Sequence, residues 1–208
     1  PGILNIHNGE IREIILDLFR NLGYETSYDV LLASEYGVPQ MRRRAFFIGN
    51  RLGIDPTILF PPKTHGNNLK NVVTIEDAIF DLPFIKNNQG KFKSNYDKKP
   101  FSDFQKLLRG NSTSLFNHVA SNHDKDILGI MKMIPEGQGM KDLPKKYRTK
   151  SIHSGAYGRM IRSKPAYTIT TRFDSPPVGR VTHPVVNRTI TAREAARLQS
   201  FSDRFIFY

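Results

Sequence analysis

Residues 188–203 read Arg188-Thr-Ile-Thr-Ala-Arg-Glu-Ala-Ala-Arg-Leu-Gln-Ser-Phe-Ser-Asp203, a pattern that opens with a helix cap and ends in a polar tail. Thr191 and Glu194 have the capping-box spacing: the hydroxyl accepts from a first-turn amide while the carboxylate reaches back to the Thr191 amide. Ala195, Ala196, Arg197, Leu198 and Gln199 continue as good helix formers. Ala195, Leu198 and Phe201 fall on one side at helical spacing. Arg188, Arg193 and Arg197 crowd the same stretch, and pattern alone describes an amphipathic surface helix with solvated charges.

Upstream, Glu35-Tyr-Gly-Val-Pro-Gln-Met-Arg-Arg-Arg-Ala-Phe-Phe-Ile-Gly49 joins a loop to a short continuous apolar run. Such a run fits a strand buried on both faces of a sheet. Arg44 opens it, and a guanidinium at a sheet edge offers a fixed fork of donors for a carbonyl oxygen or a phosphate. The bland reading of Gln40-x-Arg42-x-Arg44 is a basic turn facing solvent. Before it, Ile11, Ile14, Ile15, Leu18, Phe19 and Leu22 recur at helical spacing and stop at Gly23, a C′ glycine. Tyr24 to Leu32 reads as a strand. Helix, strand, loop and strand make a fragment of an α/β domain, too short to be a whole one.

Residues 54–71 are rich in Pro, Gly and Asn and read as a linker. Thr74 to Leu82 is a short capped helix ended by Pro83. Lys86 to Lys99 is polar and basic, the composition of a mobile loop. Asp124 to Ile134 carries a weak helical period stopped at Pro135. From Thr149 to Pro184, glycines and prolines punctuate β-prone pieces such as Ala166-Tyr-Thr-Ile-Thr170, which predicts short strands and exposed loops. No internal repeat is evident.

The chain of 208 residues has a net charge of +12, unevenly placed: residues 1–50 hold 5 Lys/Arg against 6 Asp/Glu, and the remainder 26 against 13. A regional excess of positive charge is the footprint of a polyanion partner, against the plain alternative of a soluble basic domain. No apolar run reaches the ~18 residues of a membrane span, and no leader pattern opens the sequence. The chain has no cysteine, which removes disulfides, thiolate metal sites and a thiolate nucleophile. His118 and His123 lie five apart with no completing ligand set, so the histidines read as structural and no metal is expected.

The order of residues 188–203 resembles the ninth motif of the DNA (cytosine-5) methyltransferases. It departs at Ser202, usually Pro, and at Ile190, usually Leu, changes that alter neither the cap nor the apolar side. Residues 35–49 resemble the eighth motif of the same family, and the two stand in family order across a long variable region. Pro1-Gly-Ile-Leu4 resembles the segment after the family's active-site Glu-Asn-Val. The resemblance implies the C-terminal part of a bacterial enzyme, cytoplasmic and acting with DNA in a restriction-modification system. It lies downstream of the S-adenosylmethionine loop and of the loop bearing the cysteine nucleophile, and it stops before the tenth motif. The implied reaction flips a cytosine out of the duplex, attacks its ring with a thiolate and methylates the neighbouring carbon. Arg44, supported by Arg42, is the implied contact to the base carbonyl. S-adenosylmethionine serves the full enzyme, no residue here is expected to bind it, and the chain alone is expected to be inactive. The expected partners are double-stranded DNA and the missing N-terminal catalytic half, in the same chain or as a separate subunit; no membrane partner is expected.

The expected fold is an α/β fragment, the edge of a Rossmann-like methyltransferase sheet, plus an irregular, mostly β target-recognition domain. Residues 1–55 would end the catalytic domain, 56–181 form the recognition domain, and 182–208 brace it through Gln40, Arg188, Thr191, Arg193, Glu194 and Arg197. In the family, two loops that enter the major groove flank a Thr followed by a small aliphatic residue, which Thr168-Ile169 matches. The upstream loop would be Ser151 to Arg162 and the downstream loop Thr171 to Arg180. Arg159 and Arg172 are then expected at base edges, Arg162 and Arg180 at phosphates; for any one arginine the plain alternative is a solvent-facing salt bridge. Two rival readings remain open: a non-enzymatic specificity subunit of a split methyltransferase, and a general basic nucleic-acid-binding module.

Overall fold

The computed structural model describes residues 2–148 and 155–208. The chain divides into two compact units, residues 1–37 with 41–71, and residues 38–40 with 72–208. The expected linker therefore belongs to the first unit, and residues 182–208 are built into the second rather than set apart from it.

In the first unit, α1 (Glu10–Asn21) ends where the periodicity predicts, with Gly23 at φ 79°. Strand β1 (Glu25–Leu32) runs antiparallel to β3 (Arg43–Asn50), in a register pairing Glu25 with Asn50 and Leu32 with Arg43. Phe19 of α1 meets Tyr24 edge-on, and Tyr28 packs against Phe47 across the strands. The apolar run in β3 is not buried on both faces as its composition predicts. Among the described residues it pairs with β1 alone, and Phe46 stays exposed. Ile14 and Leu18 of α1, and Leu22 just past its end, are also more than half exposed. Helix and strands carry the apolar content of a buried layer while showing much of it to solvent. Residues 51–71 return as a loop: the Asn50 side chain closes its start onto Ile54, and Asp55 caps a turn at Pro56–Leu59.

The second unit takes in the segment 38–40, which ends on Gln40, the first residue of β2 (Gln40–Met41). Helix α2 (Ile75–Ile79) buries Ile75, Ala78 and Ile79, the i, i+3, i+4 set, and is capped reciprocally by Thr74 and Asp77. The basic stretch expected to be a mobile loop contains a strand, β4 (Gly90–Ser94), antiparallel to β5 (Leu115–Val119). Between them lies α3 (Asp103–Arg109), whose Ser102–Gln105 box is the same device as in α2. Helix α4 (Lys125–Met133) is capped by Asp124, β6 (Ala166–Tyr167) is two residues long, and α5 (Ala192–Arg197) follows. Among its described residues the unit is thus not mostly β: the short helices α2 to α5 and turns outweigh the strands. Its core joins Ile75, Ile79, Leu82, Leu115, Met160, Ile169, Ile190 and Leu198, with a satellite around Met131, Ile134, Met140 and Tyr157. Among the described residues no helix is long and apolar enough to cross a membrane.

Candidate nucleic-acid interface

The scaffold of the second unit is ionic. Thr191 and Glu194 form the capping box that their spacing predicts, with the Glu194 carboxylate 2.7 Å from the Thr191 amide. Glu194 also takes both ends of the Arg188 guanidinium, at 2.7 and 2.9 Å. Burial works to raise the Glu194 pKa, but the charge and hydrogen bonds of Arg188, together with His183 and His118, outweigh it and hold the carboxyl well below the usual carboxylate range. Arg197 lies between Asp81, at 2.5 Å, and Asp203, at 2.6 Å, while Arg109 reaches Asp81 and the Tyr96 hydroxyl donates to Asp203. Arg193 donates to the carbonyls of Phe116, Ser202 and Phe205.

Arg188, Arg193 and Arg197 are all 0 % exposed, so the reading of residues 188–203 as a surface helix with solvated charges is wrong. Charges in an interior must be paired and hydrogen-bonded to persist there, and every one of these is. The partners that make burial possible, Asp81, Tyr96 and Arg109, lie about a hundred residues upstream and carry no local signal in the sequence. Asp203 stands six residues past Arg197, beyond the reach of one helical turn.

Gln40 joins two of the quoted stretches inside this unit. Its side chain is buried, with Nε2 donating to Leu198 O at 3.1 Å and Oε1 accepting from Ile169 N at 3.2 Å. The end of α5, the Thr168-Ile169 dipeptide and the start of the Gln-x-Arg-x-Arg segment are thereby fixed to one amide. The Ala166 amide adds a bond to Pro39 O.

Histidines serve the same scaffold. His118 bridges Pro83 O and the Thr191 hydroxyl, and His123 bonds Thr189. His183 accepts at Nδ1 from the amides of Val185 and Val186 and stacks on Phe80. Burial pulls its pKa down to about 4, against the opposing pull of Glu194. The described residues contain no group of three or more His, Cys, Asp or Glu side chains placed to hold a metal ion.

The four arginines expected at DNA separate into three situations. Arg159 is a correction. Its guanidinium is buried and bonded to Met131 O, Ile134 O, His183 O, Val186 O and the Asn187 side chain, so it has no free edge for a base. Two of those carbonyls lie at the end of α4: Arg159 supplies a donor to Ile134 O and a second donor to Met131 O, which also accepts from the Ile134 amide. Arg162 and Arg172 are exposed, with Glu136 at 3.3 Å and Asp174 at 3.9 Å as their carboxylate neighbours. Arg180 is half-buried beside Tyr167. Thr168 is half-buried at the head of this group, and residues 151–154 of the expected upstream loop lie outside the described residues. In the first unit Arg42 is half-buried, while Arg44 is exposed and turns its NH1 back onto Arg43 O at 2.7 Å.

A family profile described as C-5 cytosine-specific DNA methylase matches residues 1–208. The chain is 33% identical over 209 residues to the type II methyltransferase M.DdeI of Desulfomicrobium norvegicum, covering 95% of this chain and 49% of that protein. It is 33% identical to the type II methyltransferase M1.HphI of Haemophilus parahaemolyticus, covering 97% and 45%. The chain thus spans just under half the length of these relatives. In structure it is similar to a protein described as a DNA modification methyltransferase encoded within a prophage (E. coli), with TM-score 0.68 and 22% identity over 98% of this chain and 57% of that one. At that identity the likeness speaks for the fold alone.

Proposed function

The chain belongs to the C-5 cytosine-specific DNA methylase family, and from that premise we propose that it is the target-recognition and base-contacting part of a DNA (cytosine-5) methyltransferase of a restriction-modification system. The complete enzyme transfers a methyl group from S-adenosylmethionine to cytosine in duplex DNA. In this chain Arg162 and Arg180 contact phosphates and Arg172 a base edge beside Thr168, on a scaffold braced by Gln40, Arg188, Thr191, Arg193, Glu194 and Arg197. Arg44, supported by Arg42, contacts the carbonyl of the target base. Fixed donors of this kind stabilise charge that develops on the ring, an effect worth about 3–4 kcal/mol where one such donor is removed.

The observation that carries the reading is Gln40. Within the second unit this one buried amide ties Gln40, the first residue of the Gln-x-Arg-x-Arg pattern, to Ile169 and to Leu198 at the end of α5, which supports reading these residues as one brace. No residue is assigned to S-adenosylmethionine. With no cysteine among its 208 residues, the chain has no thiolate to attack the ring, and that step falls to a catalytic part that supplies one.

Selection of bound duplexes from a random pool tests this reading. The expected result is enrichment of a short cytosine-containing sequence by the pure chain, with no methyl transfer from S-adenosylmethionine. Retention of all duplexes and of single-stranded RNA alike would instead identify a general basic nucleic-acid-binding module, and turnover by the pure chain would overturn the division of labour.

A further inference from the structure

Arg180 has a side chain that is held before any ligand arrives. Its NH1 donates to Gly137 O at 2.7 Å, and its guanidinium carbon stands 5.0 Å from the centroid of the Tyr167 ring. Its stem crosses Gly155 and Gly158. A Cβ at Gly158 would come within 2.3 Å of Arg180 Cγ and 2.8 Å of Gly155 O, so a side chain there would close the channel that the arginine occupies. Arg162 and Arg172 each have a carboxylate neighbour, whereas Arg180 has none among the described residues. Its charge is restrained by a carbonyl and a ring, with no carboxylate of the described residues in salt-bridge reach.

Tyr167 is 50% exposed, while Ala166 beside it is fully buried, so the short β6 fixes the backbone and leaves the ring at the surface. A ring under a guanidinium attracts the cation through its quadrupole while leaving the outer N–H groups open. Restraint of this kind lowers the side-chain entropy lost on binding.

We propose that Tyr167 is a positioning residue: its ring, with the channel over Gly155 and Gly158, sets the fork of Arg180 to receive a phosphate of duplex DNA. The inference rests on the reading of this chain as a DNA-target module, and it adds a residue that contributes through Arg180 rather than by touching DNA.

Equilibrium binding of the full chain to its selected duplex, measured across salt concentrations, tests it with four variants. Arg180→Ala is expected to weaken binding on the order of tenfold, the scale of a charge-assisted hydrogen bond. It should also make the slope of log Kobs against log salt shallower by about 0.9, one phosphate's share. Tyr167→Ala should weaken binding by roughly two- to fivefold, the scale of an exposed cation–π contact. Tyr167→Phe, which keeps the ring, should bind as the parent does. The double variant Tyr167→Ala/Arg180→Ala should bind no more weakly than Arg180→Ala alone, because the ring acts only through the arginine. Losses that multiply in the double variant, or a Tyr167→Phe defect equal to that of Tyr167→Ala, would overturn the proposal and make Tyr167 a direct DNA contact. Parental affinity and slope in Arg180→Ala would instead remove Arg180 from the DNA interface, which is a failure of the underlying reading. Thermal unfolding of each variant identifies any loss that comes from misfolding.

Discussion

Arg159 spends its guanidinium on five oxygens, none of them a carboxylate, and burial lowers its pKa. Its removal takes the Arg159 donor from Ile134 O and leaves Met131 O with the Ile134 amide alone. Arg159→Ala is expected to lower the unfolding free energy by about 3 kcal/mol, the scale of a stripped buried network, and to leave the sequence preference of the folded fraction unchanged. Urea midpoints together with binding to mismatched duplexes decide it: a stable variant with relaxed preference would return Arg159 to the DNA. His183 sets a second expectation at this scale. Its folded pKa, about 4, lies below the ~6.5 of an unfolded histidine, so between those values the unfolded chain binds the extra proton. Stability therefore falls as pH is lowered through that window and levels off below it, by on the order of 3 kcal/mol for this group. Asn at position 183 can offer its Oδ1 to the Val185 and Val186 amides without titrating. His183→Asn should flatten the pH profile of thermal unfolding between about pH 6.5 and 4; an unchanged profile would assign the fall to other groups.

Helix α5 is six residues long, too short to persist by propensity, and its stability must come from caps and packing. Thr191 accepts from the Glu194 amide, and its hydroxyl also meets His118 Nδ1. Thr191→Ala is expected to cost about 2 kcal/mol, a cap together with a buried hydrogen bond, whereas Thr191→Ser, which keeps the hydroxyl, should cost well under half of that. A small equal loss in both variants, read from denaturant midpoints, would show that packing alone holds the helix. Elements of this kind were legible in the chain. The ends of α1, α2, α4 and α5 are written in local signals: Gly23, Thr74, Asp124, and the Thr191–Glu194 pair. Strand β4 was not legible, because Lys91 and Lys93 look like a solvated loop until Phe92 is set against Phe116 across the hairpin. The burial of Arg193 and Arg197 was also hidden. It depends on Asp81 and Asp203, and a helical wheel shows nothing of partners outside the helix. For the candidate site, the resemblance supplied the segment around Thr168, and it could not tell the buried Arg159 from the exposed Arg162 three residues later.

At the scale of the whole molecule, charge divides more sharply than mass. The second unit holds 23 Lys/Arg against 12 Asp/Glu, so it carries +11 of the net +12. Several of its arginines are neutralised inside the scaffold, which leaves the surface cations to meet a polyanion. Two explanations of DNA binding then differ in a measurable way. If net charge alone attracts the duplex, removing any two surface cations should weaken binding and its salt dependence alike. If a built face is responsible, position decides. Arg162→Gln with Arg180→Gln removes two charges from the second unit, and Arg12→Gln with Arg20→Gln removes two from α1 of the first. Each phosphate contact contributes about 0.9 to the slope of log Kobs against log salt. The first pair is therefore expected to make the slope shallower by about 1.8, and the second pair to leave it unchanged. Equal changes from both pairs would mean that overall charge holds the duplex, and the assignment of Arg162 and Arg180 to phosphates would fall with that result.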